Sequence, residues 1–169
     1  CDIGISWSDG GRIRVGPREH KHGVLKLRSK GVSSGFHVSL AVNIEKYLYG
    51  LAEMPSNWNV KALEAQALVG RSYAVYQYLK QNIPSEKTNL DAGLSSSRKS
   101  YCWCHIGSTA SSQYYYGYLK EIAGPNWVQA VNNTAGKVIT YDGGYTQSNV
   151  IQAFYSSSTG GKTNDNAVG

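Results

Sequence analysis

The stretch Val42–Gln77, VNIEKYLYGLAEMPSNWNVKALEAQALVGRSYAVYQ, holds two helical patterns separated by a Met-Pro break. Ile44, Tyr47, Leu48 and Leu51 recur at i, i+3, i+4 and i+7, the spacing of one helix face. Pro55 ends that run, because the residue before a proline resists the α conformation. A stronger helix is predicted over 59–82, with Asn57 or Asn59 as its N-cap. Val60, Leu63, Ala67, Ala74 and Tyr78 share one face, and Leu68, Val75 and Leu79 widen it until little polar surface is left. This helix is expected to be buried. Arg71 projects from its apolar side, and a buried guanidinium is costly unless paired, so a carboxylate or a bound anion is expected beside it. Gly70 costs about 1 kcal/mol of helix stability relative to Ala, which predicts close approach by another element.

Between the two helices stands Glu53, a carboxylate among Leu51, Ala52, Met54 and Pro55. It is placed at or just past a helix C-terminus, whose partial negative charge disfavours an ionised acid. Three readings follow: a surface charge, a salt-bridge partner, or an acid kept protonated for chemistry.

Working outward, the first forty residues read as strands. RIRV (12–15), GVLKLR (23–28) and FHVSLAVN (36–43) are separated by Gly, Ser and Pro clusters and predict a small antiparallel sheet. Beyond Pro84, SEKTNLDAGLSSSRKS (85–100) is polar and predicts a mobile loop. A short helix is expected after Pro125, closed by Gly136. KVITY, then DGG, then NVIQAFYSS predicts a β-hairpin on an Asp-Gly turn. The fold class is α+β: small antiparallel sheets around a buried central helix, in a single domain over 1–169, with a substrate groove.

The 169 residues include 17 Lys and Arg against 11 Asp and Glu, a net charge of +6, which predicts an anionic partner or surface. Nucleic acid fits poorly, since the basic residues are scattered and alternate along strands. No run reaches the about 18 apolar residues of a membrane span. Enrichment in Tyr, Ser, Asn and Gly with 17% charged residues suits an extracytoplasmic protein. There is no initiator Met and no signal-peptide pattern, so the chain reads as processed or excised; Cys1 fits a lipidated cysteine or a boundary equally.

Several chemistries are excluded by absence of their motifs: no phosphate-binding G-x-x-x-x-G-K-[ST], no G-x-G-x-x-G, no G-x-S-x-G elbow and no H-E-x-x-H. Cys102, Cys104 and His105 form C-x-C-H, which is not a usual zinc spacing. A zinc site on these three residues, a disulfide from Cys1 to Cys102 or Cys104, and free thiols are the alternatives, since cysteines two apart rarely bridge each other comfortably. What remains is a carboxylate in an apolar setting amid Tyr- and Ser-rich loops. Aromatic faces and hydroxyls suit a glycan cleft, and an acid poised to give up a proton is what a departing glycosidic oxygen requires.

The opening stretch resembles the core motif of the stage II sporulation protein D family (SpoIID, with the LytB amidase-enhancer branch), E-x-Y-L-x-G-V-x-x-E-M-P-x-x-W-x-x-E-A-L-K-A-Q-A-x-x-A-R-T-Y-A. It retains Glu45, Tyr47, Leu48, Gly50, Glu53, Met54, Pro55, Trp58, Ala62, Leu63, Ala65, Gln66, Ala67, Arg71, Tyr73 and Ala74. SQYYYG (112–117), AVNNTAGKVITYDG (130–143) and IQAFYSSSTGGKT (151–163) are similar to later family motifs in the same order, so the resemblance covers roughly residues 20–165. It implies a bacterial peptidoglycan lytic transglycosylase that cleaves between N-acetylmuramic acid and N-acetylglucosamine in peptide-stripped glycan strands. Glu53 matches the catalytic acid and then base, and the product carries a 1,6-anhydromuramoyl end.

The resemblance further implies that Gln66, Arg71, Tyr73, Gln113, Tyr115, Tyr155, Ser156, Ser157, Ser158, Gly160 and Gly161 contact substrate, with Arg71 on substrate or scaffold. A glycosidase working by hydrolysis would need a second carboxylate about 5 to 9.5 Å from the first, and no obvious one presents itself. No cofactor is required by this chemistry, with zinc as the alternative at the C-x-C-H residues. The other functional reading is a non-catalytic wall-binding module that enhances a cell-wall amidase. Lys61 and Glu64 reverse the usual Glu and Lys of the motif, a change that an i, i+3 pair tolerates. Ser108 stands where Asp is common, and the chain stops soon after TGGKT, where the family usually continues.

Overall fold

In the computed structural model the described residues are 2–8, 10–31, 34–81, 94, 96–142 and 149–156. Five strands come first: β1 (Asp2–Ile5), β2 (Ile13–Val15), β3 (Arg18–His20), β4 (Val24–Ser29) and β5 (Phe36–Ala41). Five helices follow: α1 (Ile44–Tyr49), α2 (Val60–Gln81), α3 (Ser96–Tyr101), α4 (Tyr118–Ala123) and α5 (Pro125–Asn133). The strands form an antiparallel sheet in the order β1-β4-β5 and a separate β2-β3 ribbon. The α+β class expected from sequence is the architecture found.

The register of the three-stranded sheet puts Ile5, Leu25 and Leu40 in one cross-strand row and Ile3, Leu27 and Val38 in another, all on one face. Leu25 is buried, while Ile3, Val38 and Phe36 at the far end are exposed. The opposite face, with Lys26, Ser39 and Ala41, borders a cavity of about 540 Å³ that separates the sheet from α2.

Both predicted helices start on asparagine caps. Asn43 Oδ1 accepts the Glu45 N–H at 2.9 Å, and Asn59 Oδ1 accepts that of Lys61 at 2.9 Å. α2 is the central helix, packed on α1 and α5. Leu63, Ala67, Arg71 and Ala74 are buried as the sequence predicts, whereas Val60 and Tyr78 on the same face are exposed near the helix ends. Lys61 and Glu64 form the i, i+3 pair at 2.8 Å. The core joins Leu48, Tyr49 and Leu51 to Leu63, Ala67, Trp127, Ala130 and Val131.

Arg71 ties this core together. Its side chain is 1% exposed, and Nε and Nη2 hold both oxygens of Glu45 at 3.0 and 2.8 Å. The same guanidinium donates to the carbonyls of Val131 and Lys137 at 3.2 and 3.0 Å and to Thr134 Oγ1. One side chain thereby joins the first turn of α1, the middle of α2 and the end of α5. The carboxylate expected beside Arg71 is Glu45.

Four sequence expectations change here. Part of the predicted 85–100 loop is helical, as α3; residues 85–93 and 95 lie outside the described residues. The predicted hairpin after α5 is, among the described residues, a single bridge between Thr140 and Val150, flanked by Tyr141 N–H to Asn149 O and Ile151 N–H to Ile139 O. β1, β3 and α4 were not foreseen. Cys102 and Cys104 are bonded to each other, with Trp103 between them at φ 52°. A left-handed middle residue lets the chain fold back tightly enough for the two Cα atoms to lie 5.2 Å apart, within the ordinary disulfide range. The Cys1 pairing is thereby overturned.

Two measurements test this description. Arg71→Lys keeps the charge but loses the planar fork, leaving carbonyls without donors, and is expected to cost about 2–3 kcal/mol in urea unfolding. His20, buried on β3 and stacked 6.0 Å from the Tyr115 ring, has its pKa lowered below 6.5 by burial and by Arg18. The unfolded chain takes up that proton first as pH falls, so stability is full above 6.5 and declines as pH drops toward the folded value. Thermal midpoints should fall between about pH 7.5 and 5.5, and by less in His20→Phe, which keeps the stacked ring.

Candidate functional site

Glu53 lies four residues beyond the last residue of α1, in a turn that runs to Trp58. The helix-end field falls off within the last turn, so the carboxylate is held by other groups than the one expected. Its loop is built against Gln113–Gly117, which alternates buried and exposed: Gln113, Tyr115 and Gly117 inward, Tyr114 and Tyr116 outward. The Ala52 N–H donates to Tyr114 O at 2.9 Å, the Tyr116 N–H donates to Gly50 O at 2.8 Å, and the Tyr114 N–H donates to Glu53 Oε1 at 2.5 Å. Gly50 is required for this approach, because a Cβ there would sit 2.4 Å from the Tyr115 ring. Gly117 is left-handed at φ 82°, and a Cβ on it would meet Glu19 O at 2.4 Å.

From the other side Lys120 clamps the turn, its Nζ donating to Met54 O at 2.8 Å and to Ser56 Oγ at 2.7 Å. Burial lowers the pKa of this ammonium.

Behind Glu53 is a column of rings and amides. Tyr47 stacks on Tyr115 at 5.3 Å, and Tyr115 stacks on His20. Tyr47 Oη donates to Gln113 Oε1 at 3.0 Å, and Gln113 Nε2 donates to Gly70 O at 3.0 Å and to Tyr155 Oη at 3.1 Å. Gly70, expected to mark a close approach, receives Gln113 and Leu51 there. Burial pushes the Tyr115 hydroxyl up to about 12, with Glu121 adding and Arg18 opposing. Burial also raises Tyr47 and Tyr155, and the Glu53 charge raises both further.

Glu53 differs from the other described glutamates in its partners. Glu19 pairs with Arg12 and Arg14, Glu45 with Arg71, Glu64 with Lys61 and Glu121 with His22. Among the described residues Glu53 is in no ion pair. A neutral donor, the Tyr114 N–H, holds it, which orients the carboxyl without the large anion stabilisation of a guanidinium.

The residues expected to contact substrate divide. Gln113 joins Tyr47 and Tyr155 by hydrogen bonds, and the Tyr73 ring lies 6.3 Å from Phe154. Tyr115 stands one ring behind. Gln113 is 0% exposed and acts inside the site wall. Arg71 is corrected from substrate contact to scaffold, since its donors are spent on Glu45, Thr134 and backbone carbonyls. Gln66 is partly buried on α2, its Nε2 without a hydrogen-bond partner among the described residues. Ser156 is exposed beside Tyr155; Ser157, Ser158, Gly160 and Gly161 lie outside the described residues.

The zinc expectation does not fit the residues present. Cys102 and Cys104 share their sulfurs in the disulfide, and among the described residues no three His, Cys, Asp or Glu side chains group as metal ligands. His105 packs its ring 5.0 Å from Tyr78, and with Trp103 and Cys104 it walls the cavity between sheet and α2.

Sequence reasoning missed Tyr114, Tyr116 and Lys120. The two tyrosines stack at 6.3 Å and present exposed rings on the strand-like segment whose amide holds Glu53. The period-2 alternation of Gln113–Gly117 was the signal available for them. Ser108 binds Arg18, accepting from Nη1 at 3.0 Å. Lys120→Met should free the turn: amide hydrogen exchange over residues 53–58 is expected to quicken about tenfold while the global unfolding free energy changes less.

The family model described as stage II sporulation protein, SpoIID, matches residues 33–141. An uncharacterised protein of Brachyspira hyodysenteriae is 32% identical over 126 residues, covering 72% of this chain and 27% of that protein. The amidase enhancer of Bacillus subtilis is 32% identical over 111 residues, 66% of this chain and 11% of the relative. The chain thus spans about a quarter and a tenth of the lengths of these relatives. No solved structure matches it significantly. A family match over more than half of the chain, on the segment that builds the Glu53 turn and its supports, places the protein in the SpoIID family.

Proposed function

We propose that this chain is the catalytic domain of a peptidoglycan lytic transglycosylase acting outside the cytoplasm, with Glu53 as its acid and then its base. The observation that supports this most is the setting of Glu53: a partly buried carboxyl, oriented by the neutral Tyr114 N–H and in no ion pair among the described residues, beside exposed aromatic rings. In the first step the Glu53 carboxyl gives its proton to the glycosidic oxygen as the C1–O bond of the muramoyl residue breaks. In the second the carboxylate takes the proton of the muramoyl 6-OH as that oxygen bonds to C1. The acid is restored, no water is consumed, and the product is a 1,6-anhydro ring. One carboxyl suffices, which suits a site where the other described glutamates are held by Arg, Lys or His side chains.

Tyr114 and Tyr116 on one segment, and Tyr73 with Phe154 on others, offer ring faces of the kind on which sugar C–H surfaces stack. The net charge of +6 favours an anionic wall surface. A second reading is favoured by the amidase-enhancer relative: the domain binds glycan and stimulates a cell-wall amidase without cutting the strand itself.

Peptide-free glycan strands incubated with the protein and resolved by mass spectrometry decide between them. Anhydromuramoyl ends are expected, falling by at least about 10²-fold in Glu53→Gln. Intact strands, with stimulation of an amidase that survives Glu53→Gln, would establish the second reading; reducing ends would overturn the transglycosylase chemistry.

A further inference from the structure

The bridge between Cys102 and Cys104 encloses a single residue, which makes it a poor structural cross-link. A disulfide stabilises a fold chiefly by restricting the unfolded chain, and that effect grows with the length of chain enclosed. With only Trp103 enclosed, the gain is at its smallest. Against it stands the backbone of Trp103, whose φ of 52° lies in the left-handed region that a bulky L residue avoids.

The turn itself is held from α3. The N–H groups of Cys102 and Trp103 both donate to Arg98 O, at 3.0 and 2.8 Å. These bonds use backbone atoms alone, so opening the bridge does not remove them, and the two sulfurs stay near enough to rejoin. Neither cysteine is buried, and Cys102 follows Tyr101, which is exposed at the end of α3.

Cations gather at the enclosed residue. The Arg28 guanidinium lies 3.9 Å from the centre of the Trp103 ring, and Lys99 Nζ lies 5.9 Å from it. Lys26 lines the cavity that Cys104 walls, and among the described residues no Asp or Glu lines it. A positive setting favours the thiolate, which is both the group that leaves when a disulfide opens and the group that attacks when it closes again.

We propose that Cys102–Cys104 is a site of reversible thiol–disulfide exchange with an external dithiol, which switches the cavity wall of Trp103, Cys104 and His105 between two covalent states. This goes beyond the reading of Glu53 and stands independently of it. A thiolate of the dithiol attacks Cys102 Sγ, the sulfur beside exposed Tyr101. The S–S bond breaks, and Cys104 leaves as a thiolate that takes up a proton. The second thiol of the reagent, deprotonated, then attacks its own sulfur in the mixed disulfide, and Cys102 leaves as a thiolate and is protonated in turn. Two electrons and two protons pass to the protein, and the dithiol becomes a disulfide. Closure runs the same steps backwards.

The test uses Cys1→Ser protein, in which Cys102 and Cys104 are the only cysteines. The folded protein is incubated with dithiothreitol, quenched with N-ethylmaleimide and weighed by mass spectrometry, with oxidised glutathione as the reference for an open, unstrained disulfide. Two labels are expected to appear at a rate no less than about a tenth of that reference, with the native circular dichroism spectrum kept. A slower rate, or labels that appear only after unfolding in urea, would mark a structural cross-link and overturn the proposal. Two labels before any reductant is added would overturn it as well. Oxidised glutathione, added after the dithiol is removed, should restore the unlabelled form; failure to do so overturns the reversibility.

Trp103→Gly examines the cause. Glycine takes the left-handed region freely, so the closed form gains, and the ratio of dithiol to its disulfide at half reduction is expected to rise about tenfold. An unchanged or lower ratio overturns the role given to Trp103. Should that variant not fold, the exchange rate of the Cys1→Ser protein still decides.

Discussion

The pairing of buried Arg71 with half-buried Glu45 is the constraint on which the rest of the helical half depends. Removing a guanidinium from water is favourable only when its charge and its hydrogens are all answered, and here the answers come from different elements. Glu45 supplies both oxygens from the first turn of α1, while Val131, Thr134 and Lys137 supply acceptors around the end of α5. The Gly136 N–H also donates to Glu45, so the turn after α5 closes on the same carboxylate. With α1 fixed at its start, Leu48 and Leu51 reach the core, and Gly50 meets the Tyr115 ring in only one register. The position of Glu53 is therefore inherited from a salt bridge that does not touch it.

This separation divides the charged residues by task. The arginine of the motif stabilises architecture, where a cation can be tolerated because its charge is neutralised locally. The site itself is furnished with phenols, an amide and backbone N–H groups. These can orient a carboxyl and still allow it to exchange a proton, which a guanidinium at contact distance would oppose. Lys120 does not break the pattern, because its donors go to Met54 O and Ser56 Oγ.

The parts of the fold legible in the sequence were those set by local rules. α1 and α2 announce themselves by period, by asparagine caps and by Pro55, and Gly70 rightly signalled a close neighbour. β3, with the sequence Arg-Glu-His, carries no apolar alternation; cross-strand pairing of Glu19 with Arg12 and Arg14 supports it instead, and that depends on a partner strand. α4 is one short segment whose register follows from Glu121 meeting His22 and Lys120 reaching back to Met54.

Glu53 stands out in the sequence because an acid beside Met and Pro is conspicuous. Its hydrogen-bond partner does not, since the Tyr114 N–H is brought to it by folding across a long stretch of chain. The sulfur bond in Cys-Trp-Cys defied a sound general rule because one residue, Trp103, takes a backbone conformation that L residues avoid.

That bond makes the chain sensitive to where it is made. Trp103, under the Arg28 guanidinium at 3.9 Å, and Cys104 both wall the cavity beside the sheet. Material produced in a reducing cytosol would carry two thiols at that wall, and material exported through an oxidising compartment would carry the bridge. Two preparations with one amino-acid sequence would then be covalently different molecules.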